Sequence, residues 1–230
     1  MIRSTLKRIR YLKKLKSYNM GFFKFKYDIG QAIPRMETKV VMADIKKQND
    51  KFFVTDAHGG IELSVYETPY NDMDDCKGKE IMDLRISQLE KKLGLKYDEQ
   101  NKFIIIYTGD FIEMIPHYDD QSTRTSLIYL TTDFEGGSTS FPLAGTEHKP
   151  QDHRAGHYIH YSSRHIHSFH GGMPVTKGTK VVIVLRSTWP SKFNRLILLW
   201  EVICYGYIKI RNLFAKGDLM KNKGSNRGTK

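Results

Sequence analysis

Cysteine is nearly absent: Cys76 and Cys204 are the only two in 230 residues. That excludes a disulfide-stapled scaffold and any zinc module built on cysteine, and it favours a reducing compartment. Long apolar runs are missing too. None reaches the ~18 residues a spanning helix needs, which excludes a multi-span membrane protein. The first 26 residues contain no acid but nine Lys or Arg. Residues 209–230 hold seven basic residues and one acid, Asp218. Between these arms stand 21 basic and 24 acidic residues, so the net charge of +12 belongs to the two ends. What is present suffices for one domain with added arms: 40% hydrophobic and 12% aromatic residues rule out wholesale disorder.

In the N-terminal arm Ile2, Leu6, Ile9 and Leu12 form one stripe of a predicted basic amphipathic helix. Such a helix suits anionic lipid or RNA phosphate, resembles an acid-free transit peptide, or is simply a solvated arm. It lacks the apolar core, about 7–15 residues, of a secretory signal, and the expected compartment is the cytoplasm, with organelle targeting as the alternative. Leu196–Ile208 is the most apolar stretch and is expected to pack on the domain. The tail from Lys216 is rich in Gly, Asn, Ser and Lys and is expected to be disordered.

Between the arms the pattern predicts strands at Thr38–Ile45, Phe52–Thr55, Ile61–Tyr66, Phe103–Tyr107, Ser126–Leu130, His157–Tyr161 and Val181–Leu185. One helix stands out, with Met82, Ile86, Leu89 and Leu93 on one face and Gly94 as its stop. Many short strands with one helix predict a mainly β, α+β domain: an antiparallel sandwich or barrel with helical support on one side.

Seven of the nine histidines lie between His148 and His170. His117 lies upstream in Pro116-His117-Tyr118-Asp119. On an extended strand His-x-Asp puts both side chains on one face, so one strand supplies two neighbouring ligands for iron or zinc. A third must come from elsewhere. A strand follows from Tyr129 and turns at Glu135-Gly136-Gly137 towards Thr139, Phe141 and Pro142. His170 precedes a Gly-Gly/Pro turn, and Lys180, ten residues on, enters an apolar strand. A lysine there is costly to bury unless it meets an anion.

Residues 103–189 resemble the iron(II)- and 2-oxoglutarate-dependent dioxygenases of the prolyl 4-hydroxylase and lysyl hydroxylase branch. That branch shows Pro-His-x-Asp, then Glu-Gly-Gly-x-Thr-x-Phe-Pro, then His-x-Gly-x-Pro-x-x-x-Gly-x-Lys or Arg. The resemblance implies a double-stranded β-helix, or jelly roll. It implies His117, Asp119 and His170 as ligands of Fe(2+), and Lys180 as the partner of the far carboxylate of 2-oxoglutarate. Tyr129, Thr139 and Tyr107 are implied as its hydroxyl partners. The implied reaction consumes 2-oxoglutarate and O2, releases succinate and CO2, and hydroxylates an unactivated C–H bond, with L-ascorbate as an auxiliary reductant. The implied substrate is a prolyl or lysyl residue of a peptide or protein.

On this reading the chain divides into a basic arm (1–26), strands and supporting helix (27–100), the catalytic core (101–190), an apolar element (191–215) and a basic tail (216–230). Two features depart from the branch. The connections after Asp119 and before His170 are short, and Val181 stands where the branch has tryptophan after its lysine. Lys180 and Arg186 share the internal spacing of an Arg-x5-Arg element in the nucleic-acid demethylase branch, but at another distance from the last histidine. The alternatives are a small-molecule or free amino-acid hydroxylase of the same chemistry, an oxygenase acting on nucleic acid, and a non-catalytic scaffold binding RNA or membrane through 1–26 and 209–230. His165 and His167 compete with His170 as the third ligand. A zinc site made only of histidines is the rival for the cluster, and it leaves Lys180 and the Glu-Gly-Gly turn unexplained.

Overall fold

The computed structural model describes residues 25, 27–54, 65–109, 116–119, 122–163 and 165–187. The predicted arm helix, the Leu196–Ile208 element and the basic tail lie outside them. Among the described residues no helix is long and apolar enough to cross a membrane.

Among the described residues strand outweighs helix, and the fold is organised on one seven-stranded antiparallel sheet. Its members are β1 (Asp28–Gln31), β2 (Phe53–Val54), β3 (Val65–Pro69), β4 (Lys102–Tyr107), β5 (Arg124–Tyr129), β9 (His157–Ser162) and β12 (Lys180–Ser187), in the order β1-β9-β5-β12-β4-β3-β2. Short strands cover one side. β7 (Thr139–Phe141) pairs with β8 (Thr146–His148) and β10 (Gly171–Gly172), and β6 (Glu135–Gly136) pairs with β11 (Val175–Lys177).

Two helices, α1 (Arg35–Lys47) and α2 (Lys77–Leu93), cover the other side. Alternation along β12 divides the core between the two sides. Val181, Ile183 and Leu185 join Val41 and Ile45 of α1 and Met82, Ile86 and Leu89 of α2. Val182 and Val184 join Tyr129, Phe141 and Tyr161 on the opposite side. A strand buried on both faces reads as a continuous apolar run, which is why 181–185 shows no polar alternation.

The predicted helix is present, stopped by Gly94 in the left-handed conformation at φ 65°. One expected strand is not a strand. Residues 38–45 lie in α1, which starts after Pro34 and ends in Lys46 and Lys47. Thr38, Val40, Val41 and Ile45 are β-branched, which gives the run its strand character. Thr38, Val41 and Ile45 nevertheless fall at i, i+3 and i+7 and are buried together with Asp44, so packing on α2 outweighs local preference. At that contact Asp44 accepts from the Gly78 backbone N–H at 2.8 Å, satisfying an open donor at the start of α2.

Candidate metal centre and co-substrate pocket

His117 and His170 lie directly opposite each other in an isolated antiparallel bridge. Each donates its backbone N–H to the other's carbonyl, at 2.8 and 3.0 Å. Opposed residues of such a pair present side chains on one face, and the rings stand 4.6 Å apart. Asp119, two residues on, returns to the same face. One ligand atom from each of the three lies within 4.8 Å of the others. His117 Nε2 is 3.8 Å from Asp119 Oδ1, and His170 Nε2 is 3.9 Å from Asp119 Oδ2. Two ligands that share one ion at about 2.1 Å each stand roughly 3–4 Å apart, so the spacing fits a single metal. Two imidazoles and one carboxylate on one side match the donor set of non-haem iron(II), with coordination positions left open.

The surroundings orient these ligands. His170 Nδ1 donates to the Ser168 carbonyl at 2.9 Å, which leaves the Nε2 lone pair for the site. Asp119 is 6% exposed. Its Oδ1 accepts from Arg186 Nη2 at 2.9 Å and its Oδ2 from Thr125 Oγ1 at 2.7 Å. Tyr161 OH is 3.2 Å from His170 Nε2. Burial pushes the Asp119 carboxyl up, but His170, Arg186, the Thr125 hydroxyl and His117 together bring it down to about 2.

The second half of the site is a buried cation. Lys180 faces inward at the start of β12 and is 4% exposed. Its Nζ donates to the Gly137 carbonyl at 2.7 Å and lies 4.9 Å from the centre of the Tyr107 ring and 5.6 Å from that of Tyr129. No carboxylate among the described residues pairs with it, and burial lowers its pKa to about 7. Beside it the Tyr129 hydroxyl is 2.7 Å from Thr139 Oγ1, both groups buried. The large sheet and the facing strand β7 thus bring Lys180, Tyr107, Tyr129 and Thr139 together; Tyr107 and Lys180 are direct cross-strand partners. The Glu-Gly-Gly turn explains itself here. Gly137 holds φ 62°, and a Cβ would meet the Phe134 ring at 2.7 Å, so only glycine delivers that carbonyl to Lys180.

Among the described residues the remaining histidines form no second centre. Among the described residues, His117, Asp119 and His170 are the one group with converging ligand atoms. The His165 ring instead accepts from the His167 backbone N–H at 3.1 Å. His148 and His157 form a buried pair, Nε2 to Nε2 at 2.9 Å. His157 Nδ1 donates to the Arg154 carbonyl, so its Nε2 must accept and His148 must donate. The His157 ring stacks on Tyr129 at 4.8 Å and 11°.

Sequence reasoning missed the partners of Asp119: Arg186, Thr125 and Tyr161. A signal existed for Arg186, whose even offset from Lys180 puts both on one face of β12. Thr125 and Tyr161 reach Asp119 only because β5 and β9 are adjacent, in register at that pair.

No family model matches the chain, and no curated protein does. Solved structures do. A viral collagen prolyl hydroxylase from Paramecium bursaria Chlorella virus 1, in complex with 2-oxoglutarate, is 22% identical. Its match covers 70% of this chain and 93% of that one, with a TM-score of 0.51. A prolyl hydroxylase from Trichoplax adhaerens, in complex with a peptide fragment of the hypoxia inducible factor oxygen degradation domain, is 13% identical. That match covers 82% of this chain and 94% of the other, with a TM-score of 0.54. The chain has the fold of these prolyl hydroxylases, the double-stranded β-helix, with its helices on one side.

Proposed function

We propose that the chain is an iron(II)- and 2-oxoglutarate-dependent dioxygenase that hydroxylates an unactivated C–H bond on a prolyl, or lysyl, residue of a peptide or protein. One observation carries the reading: three metal-type ligand atoms within 4.8 Å share an inner face with a buried lysine that has no carboxylate partner among the described residues. A dicarboxylic oxo acid is the ligand that answers both ends at once.

His117, Asp119 and His170 would hold the iron. When bound, iron with 2-oxoglutarate and O2 supplies the oxidising power, releasing succinate and CO2; L-ascorbate is the expected auxiliary reductant. The protein contributes binding, orientation and exclusion of water. The Ser168 carbonyl fixes the His170 ring so that its Nε2 faces the metal position. Arg186 and Thr125 hold the two oxygens of Asp119, keeping the carboxylate ionised and fixed in rotation. Lys180 offers its ammonium to the far carboxylate of the oxo acid, and the Tyr129 and Thr139 hydroxyls stand beside it to donate. Val182 and Val184 keep that face of β12 apolar, strengthening charge pairing there.

Anaerobic addition of iron(II) and then 2-oxoglutarate is expected to give the weak visible charge-transfer band of a chelated oxo acid. His117→Ala removes it, and Lys180→Ala raises the 2-oxoglutarate needed. A band indifferent to both changes contradicts the assignment. Succinate release on a panel of proline- and lysine-containing peptides, with a 16 Da gain by mass spectrometry, tests the substrate.

A further inference from the structure

We propose that Glu67, on the inner face of β3, is a subsite for a cationic side chain carried by the substrate. The inference rests on the hydroxylase reading above and narrows its substrate class.

Register places this residue. Glu67 lies opposite Ile105 of β4, a member of the core cluster on the site side, and opposite Phe53 of β2. Alternation therefore directs Glu67 to the face that carries Tyr107, Lys180 and Arg186. The side chain is half-buried and makes no hydrogen bond or ion pair with any described residue. This is exceptional. Among the described residues the other buried or half-buried carboxylates, Glu37, Asp44, Glu90, Asp98 and Asp119, each accept a donor. A carboxylate withdrawn from water without a donor costs stability, and such a cost at a site edge points to a ligand that supplies the missing charge.

The nearest cation does not fill this need. Arg186 is close enough to lower the pKa of Glu67, against a larger rise from burial. Its guanidinium is bound to Asp119 and lies 5.9 Å from the centre of the Phe103 ring. Arg186 is thus paired with Asp119, and it makes no hydrogen bond to Glu67. Next to it Phe53 is 53% exposed, offering a ring beside a carboxylate. A carboxylate with an aromatic neighbour suits a substrate ammonium or guanidinium, and it disfavours an acidic residue at the same place.

Two sources share this chemistry, a basic residue flanking the hydroxylated position and a reacting lysine itself. Matched peptides separate them: a central proline flanked by arginine, glutamine or glutamate, and a central lysine with neutral flanks. Binding is read by fluorescence anisotropy and turnover by succinate release. The wild-type chain is expected to bind the arginine-flanked or the lysine-centred peptide about tenfold or more tightly than the glutamate-flanked one. Glu67→Gln removes the preference and Glu67→Lys reverses it, while Glu67→Gln melts at the same temperature or higher. Equal binding of arginine- and glutamate-flanked peptides, with no gain for central lysine, overturns the subsite even where the iron–oxo acid band is present. Absence of that band from the wild-type chain overturns the hydroxylase reading instead, and the anisotropy result still decides Glu67.

Discussion

Arg186 and Lys180 occupy the two ends of one face of β12, and among the described residues only Arg186 has an anion. Its Nη2 meets Asp119 Oδ1 at 2.9 Å, whereas Lys180 has the Gly137 carbonyl and two aromatic rings. The strand thus carries a paired charge at the end near Asp119 and a charge with no described anion at its start, with Val182 and Val184 between.

Removing Arg186 leaves Asp119, whose side chain is 2% exposed, with hydroxyls as its hydrogen-bond donors and the His117 and His170 rings 3.8 and 3.9 Å away. Breaking a buried pair from one side costs ~3–5 kcal/mol. The Arg186 side chain is 30% exposed, so the expected loss for Arg186→Met is smaller, about 1–3 kcal/mol. Arg186→Lys should recover part of it. Denaturant unfolding of the metal-free protein at neutral pH measures both; an unchanged midpoint for Arg186→Met would show that the pair adds nothing.

Groups whose identity alone carries the chemistry were legible in sequence. His117 and Asp119 are two residues apart on an extended segment, and period-two alternation puts them on one face before any fold is known. His170 and Lys180 are singled out by the resemblance to the prolyl 4-hydroxylase branch, not by spacing alone. The partners of Asp119 were not legible, because Thr125, Tyr161 and Arg186 converge only when β5, β9 and β12 are placed side by side. The misreading of α1 has the opposite origin. There the local signal was present but ambiguous, since Val40 and Val41 fit a strand, and a tertiary contact with α2 decided the outcome.

The Tyr129–Thr139 contact, at 2.7 Å between two buried hydroxyls, is expected to behave as a unit. Thr139→Val strands the phenol, and Tyr129→Phe strands the threonine, at about 1–3 kcal/mol each. The double variant leaves nothing unpaired and should cost less than the sum by roughly 1 kcal/mol. A double-mutant cycle in unfolding free energy reads this directly. Strict additivity would mean that the two hydroxyls do not bond.

Acid should weaken the region behind Tyr129. Burial lowers the pKa of His148 to about 3, with further lowering from His157, His153 and Lys180; burial likewise lowers that of His157 to about 4. Unfolded imidazoles titrate near 6.5. Between these values the unfolded chain takes up the protons first, so stability falls as pH drops below about 6.5. The slope is at most about 1.4 kcal/mol per pH unit for each ring. His148→Phe should flatten the profile between pH 6.5 and 4.5, and an unchanged slope would exclude the pair as its source.

Lys180 makes the opposite demand, and its sign is distinctive. Its folded pKa, about 7 through burial, lies below the value near 10.4 of an unfolded lysine. From about pH 7 to 10 the unfolded chain therefore binds the extra proton, and the unliganded protein gains stability as pH rises. A dicarboxylate needs the charged form, so 2-oxoglutarate affinity should fall as pH rises above about 7, by up to tenfold per unit. Lys180→Ala should bind it about 30-fold or more weakly at pH 7, the cost of losing one partner of a buried charge pair, with no such fall on raising the pH. Isothermal titration of 2-oxoglutarate into metal-loaded wild type and Lys180→Ala between pH 6.5 and 9 separates this from other titrations, because groups common to both proteins affect both profiles alike. Parallel profiles would remove Lys180 from the co-substrate pocket.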